Sequence, residues 1–108
     1  MSLGMANLRP EETALSVRLH VYKNTESKAR HGPRVKAFPG KYEQGNATVI
    51  TIPTERGERA RVIGKTTISG RALREVQAFI NRHWIVLSLY WYGPEFNEID
   101  LRTALGGK

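Results

Sequence analysis

Cysteine is absent from this 108-residue chain. No disulfide and no thiolate metal site can contribute to its fold, and nothing points to an oxidising compartment, so a cytoplasmic protein is expected. The N-terminus has no basic segment followed by an apolar core, which excludes a signal-peptide reading. The longest apolar stretch, about nine residues from Trp84 to Tyr92 interrupted only by Ser88, falls far short of the ~20 needed to cross a bilayer. Nucleotide-binding signatures are missing too. Neither GxGxxG nor GxxxxGK[ST] occurs, and Gly64, Lys65 and Thr66 are only a fragment of the latter within a strand pattern. Acidic residues are scarce, with 10 Asp and Glu against 17 Lys and Arg, a net charge of +7.

What is present is enough for one small core. Hydrophobic residues make up 40% of the chain and charged residues 25%, the balance of a single compact domain. Its organising stretch runs from Ser69 to Tyr92. Ser69 suits a helix N-cap, and no proline follows until Pro94. Leu73, Val76, Ile80, Trp84, Leu87 and Trp91 recur at intervals of three or four, which lays them on one helical face, while Arg71, Arg74, Glu75 and Arg82 fall off it. From Trp84 onward the segment is apolar on all sides. It reads either as a continued helix or as a strand beginning near His83; helix, straight or kinked, is the preferred reading.

Strands precede it. Leu15 to Tyr22 alternates strictly, with Leu15, Val17, Leu19 and Val21 on one face and Ser16, Arg18, His20 and Tyr22 on the other. Arg34 to Phe38 alternates again, setting Val35 and Ala37 against Lys36 and Phe38. The β-branched stretch Ala47 to Ile52 stops at Pro53, and Ala60 to Ile68 reads as a fourth strand. Residues 1–14 are expected to be an appended leader and a flexible arm, and residues 106–108 a frayed tail. Within 95–105 one short strand or helical turn is expected, packed through Phe96, Ile99 and Leu101. The predicted class is α+β: an antiparallel meander of three to four strands, residues 15–105 in all, packed on one long C-terminal helix.

Charge is unevenly distributed. Residues 1–22 are neutral overall, residues 54–65 carry +2, and residues 23–41 hold six basic groups against Glu26 alone, a net +5. Concentration of this kind suits a polyanionic partner. On the second sheet face Arg18, His20, Tyr22, Arg34, Lys36 and Phe38 would interleave cations with rings, as on a nucleic-acid platform. The bland counterpart is that alternating strands must turn something polar outward, and that basic edge residues discourage aggregation.

These features lead to a non-enzymatic nucleic-acid-binding module as the expected function, with DNA favoured over RNA. The expected phosphate contacts are Arg18, Lys28, Arg30, His31, Arg34, Lys36 and Lys41. No cofactor and no metal is expected, since His20, His31 and His83 lie in neither HxH nor HxxxH spacing and no carboxylate cluster accompanies them. His31 is the one candidate catalytic histidine, as the base of a metal-free ribonuclease. Glu95, Glu98 and Asp100 form an acidic cluster that reads as a solvated face or as a partner for basic groups. Ile85, Leu89, Tyr90 and Tyr92 exceed what one sheet can cover, so a homodimer through residues 84–92 is expected.

Arg71, Ala72, Leu73 and Arg74, followed by His83 and then Trp91, resemble the R-A-L-R, histidine and tryptophan pattern of a family of small bacterial domains of unknown function. The likeness covers about residues 15–92. In that family a β-meander precedes the helix, and a loop carries a proline-proline-histidine-aromatic-histidine signature, of which this chain keeps His31 near Pro33. Genes of the family often neighbour toxin–antitoxin-like partners. The resemblance therefore implies a small regulatory or nucleic-acid-associated module, or a toxin–antitoxin component with a protein partner from a neighbouring gene.

Overall fold

A computed structural model describes residues 5–22, 32–39, 46–93 and 95–106. Five antiparallel strands form one sheet in chain order: β1 (Met5–Leu8), β2 (Arg18–Tyr22), β3 (Arg34–Phe38), β4 (Thr48–Thr51) and β5 (Val62–Ile63). Helix α1 (Pro10–Thr13) joins β1 to β2, and α2 (Gly70–Tyr92) and α3 (Glu98–Ala104) follow the sheet. The α+β meander with one long helix is as expected, with one strand more than the sequence suggested.

That extra strand is β1. The segment expected to be a loose arm pairs along its whole length with β2, Ala6 facing Val21 and Leu8 facing Leu19, and it buries Ala6 and Leu8 completely. Arg102 of α3 pins it from outside, donating to the Asn7 carbonyl at 3.0 Å and to Glu12 Oε2 at 2.6 Å. The predicted fourth strand is shorter than expected. The strand is only Val62 and Ile63, with Arg61 bonded to Thr51 just before them, and Gly64 adopts φ 81° and turns the chain out of the sheet.

The first face of the sheet is apolar by alternation. Leu19, Val21, Val35, Ala37 and Ile50 are buried there, and Val76, Ile80 and Leu87 of α2 are wholly buried in the same core. Two polar ties fix the helix beside the sheet. Asn81 Oδ1 accepts from the Ala60 amide at 2.8 Å, and Gln77 Nε2 donates to the Ala60 carbonyl at 3.2 Å. Helix α2 begins as expected, with Ser69 Oγ accepting from the Ala72 amide at 3.1 Å. It continues through the apolar half to Tyr92 with one departure, His83 at φ −111° and ψ 21°, so the helical reading holds and the helix is kinked there. Gly93 ends it. A Cβ at this position would stand 2.7 Å from the Leu89 carbonyl oxygen, which accepts the Gly93 amide.

The C-terminal segment is a two-turn helix. Asn97 and Asp100 form a reciprocal capping box, and Leu101 is buried. Ile99, expected to pack, instead faces solvent at 73% exposure. Tyr90, expected at a dimer interface, lies buried in the chain's own core, because its position on α2 turns inward, where Glu98 and Arg102 of α3 are its charged neighbours. Among the described residues no helix is long and apolar enough to cross a membrane.

Candidate nucleic-acid interface

The second face of the sheet carries the cations. Side chains alternate along a strand, so residues opposite Leu19, Val21, Val35 and Ala37 share this side. Arg18 pairs across the ladder with Phe38, His20 with Lys36, and Lys36 in turn with Val49. Arg34 pairs with Thr51. Thr51 meets Arg61 on its other side: the Thr51 amide donates to the Arg61 carbonyl at 2.8 Å and the Arg61 amide donates to Thr51 Oγ1 at 2.9 Å. Arg18 thus lies on β2 and Arg34 and Lys36 on the neighbouring β3, about 6.8 Å apart along it, while Arg61 stands just before β5 with β4 between.

Local contacts orient these groups. Lys36 Nζ lies 5.5 Å from the Tyr22 ring centroid, and the Arg34 guanidinium lies 5.5 Å from that of Trp91 while donating to the Gly32 carbonyl at 3.2 Å. None of the four cations forms an ion pair among the described residues. Three carboxylates are engaged elsewhere: Glu12 with Arg9 and Arg102, Glu75 with Arg71, and Glu98 with Arg102. Arg18 Nε is buried with no acceptor among the described residues.

The rings of this face do not form the expected stacking platform. His20 and Phe38 are 4% and 2% exposed, with ring centroids 4.6 Å apart, so each is occupied by the other. Tyr22 remains half-buried, its ring 6.3 Å from that of His20. Burial lowers the His20 pKa, and the positive charges of Arg18 and Lys36 lower it further. The imidazole is therefore neutral at pH 7, and the charge of the face comes from arginine and lysine alone.

Beyond Thr51 the face opens into a groove of about 460 Å³. Pro33, Ile52 and Pro53 line it with apolar surface, Thr51 and Thr54 contribute hydroxyls, and Arg59 and Arg61 contribute guanidinium groups. Glu58 also lines it, but its carboxylate is turned onto the chain and accepts from the Thr54 and Glu55 amides at 2.8 and 3.3 Å. The Thr54 amide bond outweighs the slight burial of this carboxyl and, with the Glu55 amide, holds its pKa below the ordinary value.

Of the residues expected to touch phosphate, Arg18, Arg34 and Lys36 share one face, while Lys28, Arg30, His31 and Lys41 lie outside the described residues. Arg61 was missed, and Arg59 with it. Their only signal in the sequence is the +2 of residues 54–65; that Arg61 stands across from Thr51 follows from pairing, not from local pattern. Among the described residues no three His, Cys, Asp or Glu side chains gather as metal ligands would. In the acidic cluster, Glu98 binds Arg102 at 2.8 Å and Asp100 caps α3, so two of its three members serve the fold.

No family model, curated protein or solved structure matches this chain.

The geometry can neutralise an extended polyanion. It offers three kinds of donor, namely guanidinium, ammonium and hydroxyl, along a twisted surface and around a groove at its end. It offers little exposed ring surface.

Proposed function

We propose that this protein is a non-enzymatic nucleic-acid-binding module that reads the phosphate backbone through the second face of its sheet. The observation that carries the reading is that Arg18, Arg34, Lys36 and Arg61 share one face without any ion pair among the described residues, whereas Arg9, Arg71 and Arg102 are paired. Cations gathered on one face repel one another, and an added polyanion relieves that repulsion while releasing its own counterions.

Duplex DNA is the preferred ligand in this reading. Single-strand binding draws much of its energy from bases stacked on exposed rings, and here His20 and Phe38 are buried against each other. A contact made through phosphates needs no such rings. A metal-free ribonuclease would depend on His31, outside the described residues, and an antitoxin would depend on a protein partner.

Titration of labelled duplex DNA, single-stranded DNA and RNA of equal length at low salt tests the proposal. Binding of all three with duplex DNA tightest, and no strand cleavage, is the expected result. Absence of binding at low salt would overturn it, and turnover of RNA without metal would replace it with the ribonuclease.

A further inference from the structure

We infer that the outward ridge of α2 is a self-pairing surface, occupied by the same ridge of a second copy of this chain running antiparallel. The outward positions run from Arg74 through Ala78, Arg82, Ile85 and Leu89 to Tyr92, in steps of three or four, and all are exposed. Ile85, Leu89 and Tyr92 are 55%, 50% and 57% exposed, a line of large apolar groups over two turns of one helix. Such a line is unusual on a surface left in water.

Charge identifies the occupant. The apolar line has a cation at its N-terminal end, Arg82, and a carboxylate just past its C-terminal end, Glu95. Both are exposed, and neither forms an ion pair among the described residues. A two-fold interface must be complementary to itself. Two parallel ridges would set Arg82 against Arg82 and Glu95 against Glu95. Antiparallel ridges with the axis between Ile85 and Leu89 set Ile85 of each copy against Leu89 of the other. Arg82 then lies beside Tyr92 of the second copy, with Glu95 three residues further along. The guanidinium meets a ring face and a carboxylate, and the apolar line meets itself. This pairing uses α2 and the start of the segment after it, not the cationic sheet face, so it stands independently of the nucleic-acid reading.

Sedimentation equilibrium of the whole chain tests it. The expected species is a dimer of the 12.2 kDa chain, converted to monomer by Leu89→Glu with the helical circular dichroism unchanged, since Leu89 lies half in solvent. Orientation is tested by charge reversal. Arg82→Glu alone and Glu95→Arg alone should each weaken dimerisation roughly tenfold, as two symmetry-related rim pairs turn repulsive, and the double variant should recover most of that loss. A chain that remains 12.2 kDa at high micromolar concentration overturns the pairing. So does a dimer indifferent to Leu89→Glu, and a double reversal that is additive rather than compensating overturns the antiparallel arrangement.

Discussion

Replacing Arg102 by alanine should unfasten the N-terminal strand from the rest of the fold. The guanidinium reaches three acceptors: Glu12 Oε2 at 2.6 Å, Glu98 Oε2 at 2.8 Å and the Asn7 carbonyl at 3.0 Å. It links α3 to α1 and β1, segments about ninety residues apart in sequence. The Arg102 and Glu12 side chains are 30% and 22% exposed, between the surface pairs worth a few tenths of a kcal/mol and buried pairs whose disruption costs several. About 1 kcal/mol for the Glu12 contact, a similar amount for the charged bond to a carbonyl, and a few tenths for the Glu98 pair at i,i+4 give a loss of about 2 kcal/mol. In a domain of this size that corresponds to a fall in Tm of roughly 10 °C. Thermal melts followed at 222 nm would measure it, with Arg102→Met retaining the aliphatic stem and isolating the charge. The acid limb should change as well. Burial pushes the Glu12 carboxyl up, but the Arg9 amide and the Arg102 charge outweigh it and leave its pKa below the ordinary value. Its stabilising contribution is complete above the usual carboxylate range and lost as pH falls through the lowered value, so Arg102→Ala should flatten that loss. A change in Tm below about 2 °C, or an unchanged acid limb, would show that the linkage contributes little and refute the reasoning.

Leu8→Ala should cost about 2–5 kcal/mol, measured by urea unfolding, because the side chain is 1% exposed and packed in the core; a cost under about 1 kcal/mol would return the segment to a loose arm. His20 and His83 both have pKa values lowered first by burial and then by nearby arginine or lysine charge. Their unfolded forms bind protons more readily, so stability should decline as pH falls below about 6.5, and His20→Gln and His83→Gln should each remove part of that decline. Phosphates at Arg18 and Lys36 would also cancel the charge that depresses His20, so its pKa, followed by NMR, should rise when duplex DNA binds and stay fixed if binding occurs elsewhere.

Elements whose cause is local could be read from the sequence. Ser69 caps α2 because its own hydroxyl does so, and alternation from Arg18 to Tyr22 sets Leu19 and Val21 apart from the second face within β2, although Leu15 to Val17, expected in the same strand, precede it, with a bend at Ser16 and Val17. Features that depend on a distant partner could not be read. Met5–Leu8 is too short to show a period, and becomes a strand only because β2 offers it a ladder and Arg102 holds its outer side. Alternation shows that His20 and Phe38 point away from Leu19 and Ala37, but not that the two rings then bury each other. In the all-apolar stretch after Trp84 every position resembles a core position. Only the packed helix distinguishes Tyr90, turned inward, from Leu89 and Tyr92, turned outward. Arg61 belongs to the cationic face through its pairing with Thr51, across a hairpin whose register was not visible in the charge pattern.

The most direct test of the phosphate-binding face is the salt dependence of duplex binding, measured for the unaltered chain and for Arg34→Ala, Lys36→Ala and Arg61→Ala. If these side chains contact phosphates, log K against log[salt] should be steep. Each substitution should reduce the slope by about one unit and weaken binding to every sequence alike. Slopes that do not change in any of the three variants, with affinity retained, would contradict the assignment of this face.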